Sequence, residues 1–356
     1  DRAFNLADGI YFPLAGSELS NSGRLPGPFL YLLLAIPILI KHSYESIIAF
    51  NLILNCISVI SLFFVVKKFF GLYVGLLSTV LLSFNLTHIG AANFPFNPSY
   101  IFLLIPLYLW SIFELSINRN TKFFPYIILI VSLGVQLHFS FITLLIAPIL
   151  LLFLLQLKVS NKLIFVTVLL TIICFTPYLI YLSQTINPVI DRTNVFFADP
   201  ESSIIKKLIR FPFAGNTMNL ITFKNGIRRG VFFKSYIAAT YYTLTYFSTF
   251  FMAWKIYKAT KENRLQNENK ALSLFLLFYV PVLIYEISNP NPKIPCNWYF
   301  YIFTMPQMIL ISCFLASIFQ QLKKSWQKKI YLVAILSMTI SIAINAHNDV
   351  IMLSTK

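Results

Sequence analysis

The chain has 356 residues, 58% of them hydrophobic and 11% charged, with a mean hydropathy of +0.75. That balance excludes a soluble domain and places the chain among polytopic membrane proteins. A net charge of +16 does not point to nucleic acid, because most Lys and Arg residues stand in short clusters between apolar runs, where they set topology.

The opening stretch, 1–45, holds Asp1 and Asp8, a turn-rich segment at 16–27, and an apolar run at 28–40 that contains Pro28 and Pro37. A hydrocarbon core needs about 20 residues of helix, so 28–40 reads as a re-entrant or interfacial helix. Asp1 in place of Met predicts that a first transmembrane helix precedes it, and no signal-peptide pattern is present. Ten spans follow, near 46–66, 69–86, 99–117, 123–138, 140–157, 163–183, 236–257, 271–288, 299–319 and 330–346. Lys67–Lys68, Arg119 with Lys122, Lys158 with Lys162, 255–270 and 323–329 fall in alternate loops, which are therefore read as cytoplasmic. The segments 87–98, the turn at 138–140, the loop 184–235 and 289–298 then face outward. If 28–40 only dips into the interface, Asp1 and Asp8 join that outer set.

The fold expected is all-α: a first outer loop with an interfacial helix (1–45), an N-terminal transmembrane bundle (46–183), a basic outer loop (184–235) and a C-terminal transmembrane bundle (236–356). Within the basic loop, 202–214 interleaves apolar and basic residues in the manner of an amphipathic surface helix. Cys56, Cys174, Cys296 and Cys313 lack metal-ligand spacing, and three of them lie in apolar runs as small buried side chains.

The outer set gathers Asp1, Asp8, Arg24, His88, Asn97, His138, the basic loop, Lys293, Tyr299 and Tyr301. Carboxylates beside a membrane cavity suit general-base work on a hydroxyl or amine. Cationic groups near the interface suit a phosphate leaving group or a lipid headgroup. The combination points to transfer of a group from a lipid phosphate to an acceptor. Each residue also has a plainer reading: Asp1 and Asp8 as loop acids, Asn97 before Pro98 as a helix cap, His138 as an interfacial hydrogen-bonding group, and the basic loop as a binder of anionic lipid. Glu286 serves equally as a cavity or an interfacial acid, and Glu114 lies at the cytoplasmic end.

An ordered series of motifs runs through the first half: an early Asp followed by RAFNLADG, then FPLAG, GPFLYLLLAIP, VVKKFFG, FPFNPSYIFLLIPLYLW, VQLHFSFITLLIAPILLL and FTPYLIY. The series resembles the GT-C membrane glycosyltransferases of the family 39 type, which includes protein O-mannosyltransferases and aminoarabinose transferases. The resemblance implies a GT-C-type helical bundle and an inverting transfer of a sugar from a polyprenyl-phosphate donor to a lipid, glycan or protein acceptor. It implies a bacterial inner (plasma) membrane protein with its site facing outward and no cofactor or metal, since a phosphate is already a fair leaving group in a cationic site. It places the general base at Asp1, with Asp8 in reserve, and puts Asn97 and His138 on the cavity wall. Arg24 stands before the Gly-Pro pair, and the basic loop would offer Lys224, Arg228 or Arg229 to the donor phosphate, with Tyr299 nearby as a further substrate contact. A polysaccharide polymerase or ligase shares the lipid-linked donor and a basic outer loop. A flippase or transporter would carry more charge inside the membrane than these spans do.

Overall fold

The computed structural model describes residues 2–18, 24–184, 232–262, 268–288 and 301–321. Among them every regular element is helical: α1 (Arg2–Ala7), α2 (Phe29–Ile40), α3 (Tyr44–Phe70), α4 (Leu72–Ser83), α5 (Leu86–Asn93), α6 (Ile101–Ser116), α7 (Phe124–Leu137), α8 (Ile146–Leu154), α9 (Asn161–Gln184), α10 (Phe232–Lys261), α11 (Asn269–Ser288) and α12 (Tyr301–Gln321). The chain is a polytopic all-α membrane protein. Among the described residues, α3, Asn97–Ser116, α9 and Tyr301–Phe319 are long and apolar enough to cross a bilayer, with α4 and α5 together as a fifth span if that bent pair is counted as one. The spans read at 123–138 and 140–157 form the shorter apolar helices Thr121–Leu137 and Phe139–Leu154. The readings at 202–214 and 330–346 lie outside the described residues.

Helix ends follow local chemistry. Ser43 caps α3 by accepting from the Ser46 amide at 3.4 Å, Glu45 stands in its first turn, and Lys67 and Lys68 stand in its last. Gly71 ends it with φ +95°, a conformation that side-chain-bearing residues rarely adopt. With 27 residues at 1.5 Å rise, α3 is about 40 Å long. By the same measure α2, with 12 residues, reaches only about 18 Å, well short of a crossing. Its Leu32, Ile36, Leu39 and Ile40 are exposed, while Leu30, Leu33, Pro37 and Ile38 are buried. A helix with an apolar outer face and an apolar inner face has lipid on one side and the bundle on the other.

One reading needs correction. The span expected at 69–86 holds only the 12-residue α4, and the segment 87–98, read as an outer loop, holds most of α5, bent from α4 by 59°. Asn85 causes the break: its Oδ1 accepts from the Thr87 amide at 3.0 Å and the His88 amide at 3.2 Å, which caps a new helix in place of continuing the old one.

Helix α6 is the axis of the bundle, with Ile101, Phe102, Leu109, Ile112, Phe113 and Leu115 fully shielded. Helices α3, α7 and α12 pack around it, and α12 also lies along α4. Since lipid is as apolar as the core, specificity in such a bundle depends on close packing and on interhelical hydrogen bonds. Tyr108 Oη donates to the Leu144 carbonyl at 2.7 Å, Ser273 Oγ to Ser116 Oγ at 2.7 Å, Asn269 to the Ser116 carbonyl at 2.9 Å, and Gln307 to Thr245 Oγ1 at 2.7 Å. Helix α9, in contrast, keeps its apolar surface outward and packs against α7.

The basic loops collect at one end of this bundle. Lys68 pairs with Glu114 at 2.5 Å and lies 3.8 Å from the Trp110 ring centroid, Arg119 donates to the Leu155 carbonyl at 2.8 Å, and Lys270 stands over Phe70 at 5.7 Å. The opposite end joins the first loop, the segment after α5 and the start of α12.

Candidate functional site

The site is built where the first loop meets the ends of α2, α6 and α7 that lie away from the basic loops. Backbone bonds from Gly16 N–H to Leu25 O at 2.8 Å and from Leu25 N–H to Ser17 O at 3.0 Å make a narrow hairpin. Glu18 and Arg24 face each other across it and form an ion pair. The Glu18 side chain is mostly exposed, whereas that of Arg24 keeps only 16% of its surface. A second contact runs from Arg24 Nη1 to the Gly16 carbonyl at 3.4 Å.

Tyr31, on the first turn of α2, lies within electrostatic reach of two arginines. Burial pushes its phenol above the ordinary value; Arg2, within hydrogen-bonding reach, and then Arg24 oppose that shift. Arg2 and Arg24 come from opposite ends of the loop, so folding places both within electrostatic reach of one phenol, where Glu18 acts with the opposite sign. An anion bearing several oxygens is the ligand class such a group favours.

Asn97 joins the same loop. Its Nδ2 donates to Ser17 Oγ at 2.6 Å, and the turn it begins is capped by Phe96 without a side-chain hydrogen bond. The plainer reading of Asn97 as a helix cap is therefore replaced by a tether between the first loop and the entry to α6. The contact seats Asn97 against the hairpin that carries Arg24.

Gln136 is the residue that reading the sequence missed. It is 2% exposed near the end of α7. Its Oε1 accepts from the Phe29 amide at 3.2 Å and its Nε2 donates to the Cys174 carbonyl at 3.0 Å. Pro28 offers no side-chain cap to α2, so α7 supplies one from a distance of 107 residues in sequence. Gly27, with φ +112°, makes room for it: a Cβ there would overlap the Gln136 amide. A glutamine inside an apolar helical run was the available signal. His138, two residues on, is buried and turns the chain from α7 into the 3-10 segment Phe139–Leu145. Its Nδ1 meets Ser140 Oγ at 2.7 Å and accepts from the Ser140 amide at 3.3 Å. Burial lowers its pKa to about 4, so the imidazole is neutral.

Asp8 is drawn elsewhere. It pairs with His42 Nε2 at 3.1 Å, past the C-terminal end of α2, and His42 in turn meets the Phe4 ring edge-on at 4.8 Å. That end is about 18 Å from the end where Arg24 stands. Asp1, which directly precedes Arg2, lies outside the described residues, as do Lys224, Arg228, Arg229, Lys293 and Tyr299; Glu286 lies on α11, but its side chain is not described. His88 and Tyr301, also gathered from the sequence, are both buried against Phe102, with ring centroids 4.8 and 5.3 Å away. His88 adjoins a polar ladder on α3, where Ser58, Asn55 and Asn51 succeed one another and Asn51 donates to the Ala91 and Ala92 carbonyls at 2.9 and 2.7 Å. The ladder fastens the end of α5 to α3.

Residues 26–181 match the family model of the dolichyl-phosphate-mannose-protein mannosyltransferases. No curated protein and no solved structure matches the chain. The match runs from the residue before Gly27 through α9, so it covers α2, Asn97, Gln136 and His138, while Arg2, Asp8 and Arg24 precede it. The family points to a membrane glycosyltransferase that uses a polyprenyl-phosphate sugar donor. Over residues 26–181 the chain is thus similar to the dolichyl-phosphate-mannose-protein mannosyltransferases.

Proposed function

We propose that this protein transfers a sugar, with inversion, from a polyprenyl-phosphate donor to a lipid, glycan or protein acceptor on the extracytoplasmic side of a bacterial plasma membrane. The observation that carries this reading is the match of residues 26–181 to the mannosyltransferase family model, with Arg2 and Arg24 both within electrostatic reach of Tyr31 at the start of α2. The donor phosphate sits against these two guanidinium groups, and its polyprenyl chain runs into the bilayer along the apolar outer face of α2. In the reaction the acceptor oxygen or nitrogen forms a bond to the anomeric carbon as the bond from that carbon to the phosphate oxygen breaks. Asp1, next to Arg2 in sequence, takes the acceptor's proton. The electron pair of the broken bond leaves on the phosphate, where Arg2 and Arg24 offset the growing charge. Asn97 and His138 line the cavity, and Lys224, Arg228 and Arg229 reach the phosphate from the basic loop, with Tyr299 at the sugar. Asp8, held by His42, is the weaker choice for the base.

The test is to incubate the purified protein with a panel of polyprenyl-phosphate sugars and to measure released polyprenyl phosphate. Transfer should be lost in Asp1→Asn, and Arg24→Gln should weaken donor use more than Arg24→Lys. Full activity in Asp1→Asn removes that residue from the mechanism, and wild-type donor use in Arg24→Gln removes the phosphate site.

A further inference from the structure

Two adjoining cavities, of about 370 and 330 Å³, open at the lysine-rich end of the bundle, far from the site above. Phe251, Lys255 and Glu268 line both. Trp254, Lys258 and Glu262 complete the wall of the first, and Lys270 belongs to the second, whose floor includes the buried Met252 and Leu274. Their volumes fall within the range of small-molecule sites. Lys255 lies over the Phe251 ring at 5.3 Å and Lys270 over the Phe70 ring at 5.7 Å, so aromatic faces hold both ammonium groups at the rim.

The charge pattern selects the occupant. Three ammonium groups and two carboxylates share one recess. A purely anionic headgroup would meet Glu262 and Glu268, and a purely cationic one would meet the lysines. A headgroup bearing a phosphate and an ammonium satisfies both sets. The surface leading away from the recess is also suited to lipid. Phe247, Phe250, Trp254 and Tyr257 are 53–69% exposed and recur every three or four residues, which makes one apolar stripe along α10 that passes the cavity at Trp254. Trp254 and Tyr257, with rings 6.0 Å apart beside the basic end, are the residue types found where a bilayer meets water.

We propose that this double cavity binds the headgroup of a zwitterionic phospholipid of the phosphatidylethanolamine type from the leaflet on the basic-loop side. The phosphate lies among Lys255, Lys258 and Lys270, the ammonium at Glu268, and the acyl chains along the α10 stripe. This site is independent of the donor site.

The full-length protein in detergent, given equal amounts of phosphatidylethanolamine, phosphatidylglycerol and phosphatidylcholine, is to be read by native mass spectrometry. Phosphatidylethanolamine should be retained over the other two, and Lys255→Gln with Lys270→Gln should weaken that retention about fivefold per lysine. Glu268→Gln should shift the preference toward phosphatidylglycerol. Equal retention of the three lipids by the wild type, or unchanged retention in a folded lysine double variant, overturns the proposal. If that double variant does not fold, Glu268→Gln decides alone: an unchanged ratio of phosphatidylethanolamine to phosphatidylglycerol overturns it.

Discussion

Gln136→Leu tests how the start of α2 is held. Leucine nearly conserves the volume but has neither the acceptor for the Phe29 amide, 3.2 Å away, nor the donor for the Cys174 carbonyl, 3.0 Å away. The Phe29 amide belongs to the first turn of a helix whose N-cap is Pro28, so no local group replaces the lost acceptor. Leaving a part-buried amide without a partner costs about 1–2 kcal/mol, and the second bond is worth about 1 kcal/mol. The sum, about 2–3 kcal/mol, corresponds to a fall in melting temperature of roughly 3–4 °C for a chain of this length. Thermal unfolding of the purified variant in detergent measures it. Arg24 is bound into the hairpin that leads to this helix start, so the same variant should also raise the KM for the donor more than it lowers kcat. A variant that melts with the wild type would show that α2 is held by apolar packing alone and that Gln136 is incidental.

Gly27→Ala should be at least as damaging, since its Cβ would overlap the Gln136 amide on a backbone at φ +112°; a low yield of folded protein in size-exclusion chromatography is the expected result. Asn97→Ala removes the bond to Ser17 and should cost about 1 kcal/mol in thermal unfolding, with a larger relative loss of transfer activity. His138 also predicts a pH dependence. Its pKa is depressed from 6.5 to about 4 in the folded protein, so its contribution to stability is intact above pH 6.5 and is lost as pH falls toward 4. The wild-type melting temperature should drop across that window, and His138→Gln should flatten part of the drop.

Much of the bundle was legible because its physics is one-dimensional. Apolar run length and the alternation of basic loops do not depend on what the helices touch, and the loops at Lys68, Arg119 and Lys270 do share one end. The short α2 followed from counting residues against the thickness of a bilayer. The break before α5 was legible in principle, since Asn85 is a capping residue, but within an apolar run its cap competes with a continuing helix, and the sequence pattern alone does not decide that competition. Asn97 was identified as important, whereas its partner, Ser17, was not, because the two are 80 residues apart.

The sequence by itself determined the membrane class, most of the helices, the family resemblance and the set of polar residues from which a site can be made. Only the tertiary structure decided how that set divides. It sends Asp8 to His42, ties Arg24 to Glu18 and the Gly16 carbonyl, and recruits the unremarked Gln136 to cap α2. The reason is the range of the interactions. Hydropathy is a property of one segment at a time, but a hydrogen bond or an ion pair needs two groups within a few ångströms, and in this chain the partners that matter are set side by side by folding.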